Sequence, residues 1–296
     1  MKTKKRLICI LSIILVVLII FAALLFTGVI DINRKIEEPI QEQEVVEEVI
    51  TQDGRQTWLN NKAINNDYIG EIVFDSNLIN KSFVQAKDVY DINGNLYHFY
   101  NENGTLVEDP TDYNGNDVYI WTNWKDMSYD YNIEGGSVFM DYRNDLDDQN
   151  IIIYGHHFSE AGGNDPERCK AFTPLEKLME VENYDSNKSL KLILDNKTCN
   201  YELVAVYKFD INDPIYTDNL QYYRTEYNYD EFEDTSDCTY YQNYIDTMNE
   251  VKLYDTGVNL TTQDKTLTLQ TCISGLAGSV YEICVFKLVN IETFEQ

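Results

Sequence analysis

The chain is short of positive charge. Its 296 residues carry 23 lysines and arginines against 50 aspartates and glutamates, a formal net charge of −27 at pH 7. Four of the basic residues lie within the first thirty, so the remainder has 19 basic against 50 acidic side chains, a net charge of −31. A surface this acidic repels nucleic-acid phosphates and anionic lipid headgroups, which argues against a nucleic-acid-binding protein.

The chain also has few groups arranged to bind a metal. It has three histidines, and its six cysteines include no C-x-x-C pair of the kind that holds zinc. Asp112, Asn114 and Asn116 have the spacing of an EF-hand loop, but Asp117 stands where that loop requires glycine. The sequence therefore predicts no metal site, and we expect no cofactor.

One cysteine ends a strand-like segment near the C-terminus, residues 266–272 with the sequence TLTLQTC. Strand alternation puts Cys272 on the face of the threonines and Gln270, away from Leu267 and Leu269. A loop of mostly small residues, 273–279, follows and leaves room for a substrate. A lone cysteine is most often a buried structural residue. A nucleophilic one needs a nearby base or cation to hold its thiolate.

The three histidines are the candidate bases. His98 lies in an aromatic run, 96–100, that predicts a half-buried strand. His156 and His157 follow a short apolar strand, 151–154, and Gly155, which lets the chain turn. Catalytic groups often lie in strand-end loops of this kind. A histidine at one strand exit and a cysteine at another favour a catalytic pair over two structural residues.

Two segments together resemble a known family. Tyr154-Gly155-His156 and the TLQTC segment, 268–272, are similar to the two signature segments of the sortases, the cysteine transpeptidases of Gram-positive cell surfaces. The segment SVFMDYRN, 137–144, and a long helix-containing insertion that ends at 253–258 are similar to those of class B. The resemblance covers roughly residues 58–289.

The resemblance implies both a fold and a chemistry. The fold is mainly β, an eight-stranded β-barrel with peripheral helices. Cys272 would attack the carbonyl of a threonine in a C-terminal sorting motif of a secreted protein, with His156 as acid to the leaving amine. An amino group of a peptidoglycan cross-bridge or a pilin lysine would then resolve the thioester. Gln270, Thr271 and Tyr154 would contact the substrate.

The chain departs from the family pattern in one respect. Sortases carry an arginine in the strand after the cysteine, and here no arginine follows Arg224. Alignment of 285–288 with the end of that strand puts Tyr281 in the arginine position, or Glu282 if the loop is one residue longer. A phenol donates one hydrogen bond but has no positive charge, and losing one oxyanion donor typically costs about 10²–10³ in rate. We expect a weakened oxyanion site made by the Tyr281 hydroxyl and backbone N–H groups near Cys272.

The first thirty residues predict a membrane anchor. Residues 7–30 are an almost unbroken apolar run, and 24 helical residues span about 36 Å, enough for a hydrocarbon core of about 30 Å. The basic tail, 1–6, places the N-terminus in the cytoplasm and the remainder outside the cell. A cleaved signal peptide fits less well, because the run is long and no A-x-A site follows. We expect an acidic spacer with a short helix at 31–57 and the catalytic domain at 58–296.

The remaining pattern predicts short strands, turns and two helices. Three Asn-Gly pairs, at 93–94, 103–104 and 114–115, predict tight turns. Thr173, Pro174 and Glu176 predict a capping box and a helix at 174–181. A second helix, 238–251, presents a buried stripe that indicates core packing. The acidic, tyrosine-rich segment 210–237 is a mobile loop over the site or, as we favour, solvated surface. Further strands are predicted at 69–74, 82–85, 190–194, 201–207 and 281–289.

Two other classes of protein fit part of the pattern. A non-enzymatic surface module that kept the barrel to bind a peptide or wall component would have an ordinary thiol at Cys272, whereas the thiolate of an enzyme titrates low. An unrelated cysteine hydrolase fits the order of the segments less well.

Cys9 lies in the predicted anchor, and disulfide pairing stays open among the other four cysteines: Cys169, Cys199, Cys238 and Cys284.

Overall fold

Eight strands form a closed β-barrel, as the sequence predicts. The structure, a computed structural model, describes residues 53–131, 135–158, 171–215, 239–273 and 279–293. The strands are β1 (Tyr68–Phe74), β2 (Asn80–Val84), β3 (Val138–Met140), β4 (Asn150–Tyr154), β5 (Ser189–Ile193), β6 (Lys197–Asp210), β7 (Thr266–Cys272) and β8 (Val280–Thr293). Their order around the barrel is β1-β2-β3-β4-β7-β8-β6-β5.

Helices connect several of the strands. They are α1 (Asp53–Ile64), α2 (Gly115–Ile120), α3 (Tyr184–Asn187), α4 (Thr239–Val251) and two 3₁₀ helices, Thr173–Met179 and Val181–Asn183. Within the described ranges, none of the helices has the length and apolar character needed to span a bilayer. The predicted tail and anchor, 1–30, and most of the predicted spacer lie outside the described residues.

The pairing of four neighbouring strands positions the candidate site. β4 and β7 run parallel, with Tyr154 beside Gln270. Each strand is also paired on its other side, β4 antiparallel to β3 and β7 antiparallel to β8. The carboxyl ends of β4 and β7 therefore emerge side by side, at the level where β8 begins. This juxtaposition comes from the topology, because the two strands are more than a hundred residues apart in the chain.

The barrel interior is packed with aliphatic and aromatic side chains. Leu267 and Leu269 of β7 lie in this cluster with Cys284 and Phe286 of β8, all fully buried. Burying a leucine or phenylalanine side chain stabilises a fold by about 1.5–3 kcal/mol. The two leucines therefore fix the register of β7, since a slip by one residue would turn them outward.

Helix α4 covers the outside of the barrel with the stripe predicted to be core. Tyr241, Tyr244, Ile245 and Met248 are at most 3% exposed. They pack with residues of β6 and β8, including Val204, Tyr207, Ile283 and Val285. The rings of the two α4 tyrosines stack with centroids 5.8 Å apart. The prediction of a packing face rather than a ligand site is consistent with these contacts.

The predicted strand at 96–100 is not present. Only isolated bridges form there, Tyr90 with Leu96 and Tyr100 with Leu106. Each bridge encloses one of the first two Asn-Gly turns, whose glycines have φ of +80° and +72°. The turns follow each other after ten residues, which leaves too little chain between them for a longer ladder. His98 is exposed and contacts the Tyr100 hydroxyl at 2.9 Å.

The third Asn-Gly pair begins a helix instead of a tight turn. The Asn114 side chain accepts the Asn116 N–H at 2.9 Å, and the Asp117 carboxylate accepts the Asn114 N–H at 2.8 Å. These bonds form a capping box at the start of α2. The asparagine satisfies a free helical N–H, which a tight turn would not require of it.

The predicted capping box at Thr173 is absent, and the segment is a 3₁₀ helix. The Thr173 hydroxyl accepts the N–H of Phe158 at 3.1 Å, and the Glu176 carboxylate lies 3.2 Å from His157. Both side chains are held by partners distant in sequence, so neither caps the helix.

Candidate active site

Cys272 is the last residue of β7 and lies on the face opposite the core leucines, as predicted. The register of β7 and β8 places Tyr281 directly opposite Cys272. Opposed residues of an antiparallel pair have Cβ atoms about 4.5–5.5 Å apart. The Tyr281 side chain therefore begins beside the thiol. Cys272 is half-buried, so its sulfur is sheltered but accessible.

His156 lies two residues beyond the end of the paired part of β4. The Gly155 N–H donates to the Gln270 carbonyl at 3.2 Å, and the Thr271 hydroxyl donates to the Gly155 carbonyl at 2.7 Å. These two bonds tie the exits of β4 and β7 together. They hold His156 at the level of Cys272 on the neighbouring strand.

Both residues line a single groove of about 360 Å³. It crosses β3, β4, β7 and β8, and α2 forms part of one wall. The lining is mostly apolar and aromatic, with a few polar groups, which is typical of a ligand site. The lining residues are Asn116, Ile120, Phe139, Arg143, Tyr154, Gly155, His156, Gln270, Thr271, Cys272 and Tyr281.

The surroundings of His156 fix its tautomer. Its Nε2 lies 2.7 Å from the Ile120 carbonyl oxygen, which can only accept a hydrogen bond, so Nε2 carries a proton. Nδ1 is then the nitrogen that can exchange a proton with other groups. The Trp121 ring covers the imidazole, with centroids 4.2 Å apart. Burial lowers the pKa of His156, and the bond to Ile120 opposes this only in part. The imidazole is therefore neutral at pH 7.

His157 points to a different environment. Its side chain is 3% exposed, and its Nε2 lies 3.2 Å from the Glu176 carboxylate of the 3₁₀ helix. It does not line the groove. The two adjacent histidines thus diverge, and only His156 reaches the groove of Cys272.

The register separates the two candidates for the arginine position. Tyr281 lines the groove, whereas Glu282 pairs with Thr271 and is fully buried on the interior face of β8. Burial raises the pKa of Glu282 to about 8, although a bond from the Cys284 thiol acts in the opposite direction. Tyr281 is therefore the residue that occupies the side of β8 facing Cys272.

The three predicted substrate contacts lie at the groove in different ways. Gln270 is buried beside Cys272 on the outer face of β7. Thr271 also borders the groove, but its hydroxyl is engaged by the Gly155 carbonyl. The Tyr154 hydroxyl donates to the Asp141 carboxylate at 2.7 Å, and its ring packs on Phe139 with centroids 5.5 Å apart.

Arg143 is a groove residue for which the sequence predicts no role. It follows β3, and its guanidinium donates two hydrogen bonds to Asp141, each of 2.8 Å. Its place in the DYRN segment, just before the histidine strand, is a sequence signal for it. The family resemblance implies an arginine only in the strand after the cysteine.

The structure also bears on the disulfide question. Cys199 and Cys284 are buried free thiols, so they are not paired with each other. Burial raises the pKa of both thiols, which makes them unreactive compared with a thiol in a groove. Cys169 and Cys238 lie outside the described residues, and their pairing stays open.

Comparison with known proteins finds two similar sequences. No family model matches it. Sortase B of Staphylococcus aureus is 30% identical over 161 residues, which are 53% of this chain and 56% of that protein. Sortase B of Listeria monocytogenes is 25% identical over 175 residues, 57% of this chain and 60% of that protein. The chain is therefore similar to class B sortases over about half of its length.

A solved structure supports the fold. The Staphylococcus aureus sortase B–substrate complex superposes with a TM-score of 0.54 at 22% identity, over 80% of this chain and 86% of that chain. At this identity the superposition establishes the fold alone. The sequence matches span little more than half the length of the two sortase B relatives.

Proposed function

We propose that this chain is a class B sortase, a cysteine transpeptidase. The observation that carries the proposal is the groove in which Cys272 and His156 meet at the ends of two parallel strands. A nucleophile needs a base nearby and a channel that admits the substrate, and both residues line this groove. The similarity to sortase B proteins supports the same reaction class.

The proposed reaction has two acyl transfers. His156 Nδ1 takes the thiol proton, and the sulfur of Cys272 attacks the carbonyl carbon of the substrate, forming a C–S bond. The carbonyl oxygen becomes an oxyanion that the Tyr281 hydroxyl and nearby backbone N–H groups stabilise. The C–N bond then breaks as His156 gives its proton to the leaving amine, which leaves a thioester.

The second transfer reverses these roles. An acceptor amine attacks the thioester carbon and loses a proton to His156, the C–S bond breaks, and the thiol is restored. No energy carrier is consumed, because one amide is exchanged for another. The lowered pKa of His156 suits the base role, since the neutral imidazole is the form that accepts a proton.

We propose the substrate and acceptor by similarity. A solved structure similar to this chain is described as a sortase B–substrate complex, and this chain has a groove at Cys272. The substrate would be a secreted protein bearing a C-terminal sorting signal, cleaved after threonine. The acceptor would be an amine of a peptidoglycan cross-bridge or a pilin. The predicted anchor, 7–30, would hold the domain outside the cell at the membrane, where such substrates emerge.

A second candidate is a catalytically weak or inactive surface module that binds a peptide or wall component. The observation in its favour is Tyr281, which brings no positive charge to the position where sortases carry an arginine. The groove would then serve binding alone.

Mass spectrometry with a panel of sorting peptides and hydroxylamine distinguishes the two candidates. The enzyme should gain the mass of an acyl group at Cys272 and release a hydroxamate. Cys272→Ala should abolish both products, while Cys199→Ala and Cys284→Ala, at free thiols away from the groove, should mainly lower stability. Turnover by Cys272→Ala would refute the mechanism. Failure of the wild type to acylate with any peptide would favour the binding module.

A further inference from the structure

Arg143, which follows β3, places a positive charge at the groove. Among the groove-lining residues that the structure describes, it is the single lysine or arginine. Its side chain is 26% exposed, whereas its partner Asp141 is 2% exposed. The acid is thus part of the protein interior, and the guanidinium stands between the acid and the groove.

Asp141 holds the guanidinium in one orientation. Its Oδ1 and Oδ2 accept from Nε and Nη2 of Arg143, both at 2.8 Å. The Tyr154 hydroxyl donates to Oδ2 at 2.7 Å, and Asn116 Nδ2 lies 3.3 Å from the same oxygen. Burial alone would raise the pKa of Asp141, but the hydrogen bonds and charge of Arg143 outweigh it and lower that pKa. The pair is therefore ionised and rigid at neutral pH.

The guanidinium has N–H donors that its bonds to Asp141 do not use. It has five N–H groups, of which the bonds to Asp141 use two. Nη1 has no hydrogen-bond partner among the residues that the structure describes. A planar donor group, oriented by a buried acid and bordering a peptide-sized groove, is suited to bind an acceptor oxygen of a ligand.

Its level relative to Cys272 follows from the strand register. Asp141 donates its N–H to the carbonyl of Ile152 at 2.9 Å. Ile152 is two residues before Tyr154, which pairs with Gln270, itself two residues before Cys272. Four strand residues span about 13 Å. The backbone at Asp141 is thus displaced by that distance from the nucleophile in the direction of the strands, a distance that three to four residues of an extended peptide cover.

We propose that Arg143 is a substrate-binding residue that donates hydrogen bonds to a backbone or side-chain oxygen of the peptide, three to four residues from the scissile carbonyl. Asp141 is a positioning residue that acts through it. This deepens the proposed transpeptidase function and rests on it. Because Asp141, which holds the guanidinium, is four strand residues away from the level of Cys272, Arg143 is expected to act on binding and not at the oxyanion.

The test is steady-state kinetics of the full chain. The probe is a peptide with the sequence of the substrate in the Staphylococcus aureus sortase B–substrate complex, with hydroxylamine as acceptor. Arg143→Gln should raise KM about tenfold or more while kcat changes less than about threefold, the pattern of lost uniform binding. Arg143→Lys should recover only part of the loss, because an ammonium lacks the fork geometry. Arg55 lies on α1, away from the groove, and pairs with Asp195. Arg55→Gln should therefore leave KM unchanged.

A double variant distinguishes a loss of substrate binding from misfolding. Arg143→Gln alone leaves Asp141 buried without its cation, whereas Asp141→Asn with Arg143→Gln replaces the pair with two neutral amides. The double variant should fold and show the same rise in KM. Peptides shortened one residue at a time from each end should lose the difference between wild type and Arg143→Gln once the contacted residue is removed.

Each outcome decides the proposal. An unchanged KM in both Arg143→Gln and the double variant, with normal wild-type turnover, overturns the role of Arg143 and leaves the transpeptidase intact. A fall in kcat at constant KM overturns it too, because it would place Arg143 in the chemical step. A wild type that forms no acyl-enzyme overturns the proposed function and this inference together.

Discussion

At the residue scale, two adjacent histidines have different surroundings. His156 lines the groove with its Nδ1 able to take a proton, while His157 is buried against Glu176. We predict that His156→Ala lowers kcat/KM for acylation by about 10²–10⁴, the usual contribution of a general acid–base group. His157→Asn should keep most activity and mainly lower thermal stability. Peptide cleavage and thermal unfolding of both variants measure this. A greater loss of activity in His157→Asn would reverse the assignment.

Tyr281 tests the oxyanion site. Its Cβ lies beside that of Cys272 through the β7–β8 register, so its hydroxyl can donate to an oxyanion formed at the attacked carbonyl. Tyr281→Phe should slow acylation by about tenfold to a hundredfold, the lower part of the range for one oxyanion donor. Tyr281→Arg should match or exceed the wild type, since it adds charge. Burst-phase acylation followed by mass spectrometry gives both rates. If Tyr281→Phe acylates as fast as the wild type, another donor has to be sought, for example Gln270 or Lys287.

The residues of the site were predictable to different extents. The placement of Cys272 and His156 at neighbouring strand ends could be predicted, because the pattern of each strand is present in the sequence. The choice of Tyr281 over Glu282 needed the register, because alternation alone tells neither the loop length nor the pairing. Arg143 could not be placed in the groove from sequence, since that depends on how Asp141 and Tyr154 meet across two strands.

At the element scale, strands and helices with a strong hydrophobic pattern were predicted well. β7 and α4 have alternating or helical stripes that bury against one surface, so burial alone determines which face turns inward. The predictions failed where single polar side chains decide the structure. Asn114 accepts the N–H of Asn116, two residues on, and so caps a helix where a tight turn was predicted. Thr173 instead accepts the N–H of Phe158, a partner distant in sequence, and so does not cap its helix.

β8 carries a buried carboxyl that should make the barrel sensitive to pH. Glu282 is fully buried, and burial raises its pKa from 4.5 to about 8. Between these values the folded chain keeps a proton that the unfolded chain releases. The stabilisation is therefore complete below about pH 4.5 and is lost as the pH rises through about 8, by up to a few kcal/mol. We predict that Glu282→Gln removes this fall.

Thermal unfolding of the wild type, Glu282→Gln and Glu180→Gln between pH 5 and 9 checks this prediction. Glu180 is an exposed glutamate and serves as the matched control. The wild type and the control should lose stability in parallel as the pH rises, while Glu282→Gln changes less. Identical pH dependence in all three proteins would mean that Glu282 does not titrate in this range.

At the scale of the whole molecule, charge and topology act together. The barrel closes through pairing of strands that are distant in sequence, so it has no unpaired edge. Its surface carries most of a net charge of −31 beyond residue 30, which favours solubility and opposes adhesion to anionic lipid.

The orientation of the chain in the membrane is the last prediction. Four basic residues precede the apolar run 7–30 and Asp31 follows it, so the positive-inside rule places the N-terminus in the cytoplasm and the barrel outside. Protease added to intact, wall-stripped cells should therefore cut within the spacer, 31–52, and release the C-terminal domain. A tag fused before Met1 should stay protected until the cells are lysed, which serves as the internal control. A domain protected in intact cells, with an accessible N-terminal tag, would establish the opposite orientation. It would also remove the barrel from the secreted substrates that a sortase requires.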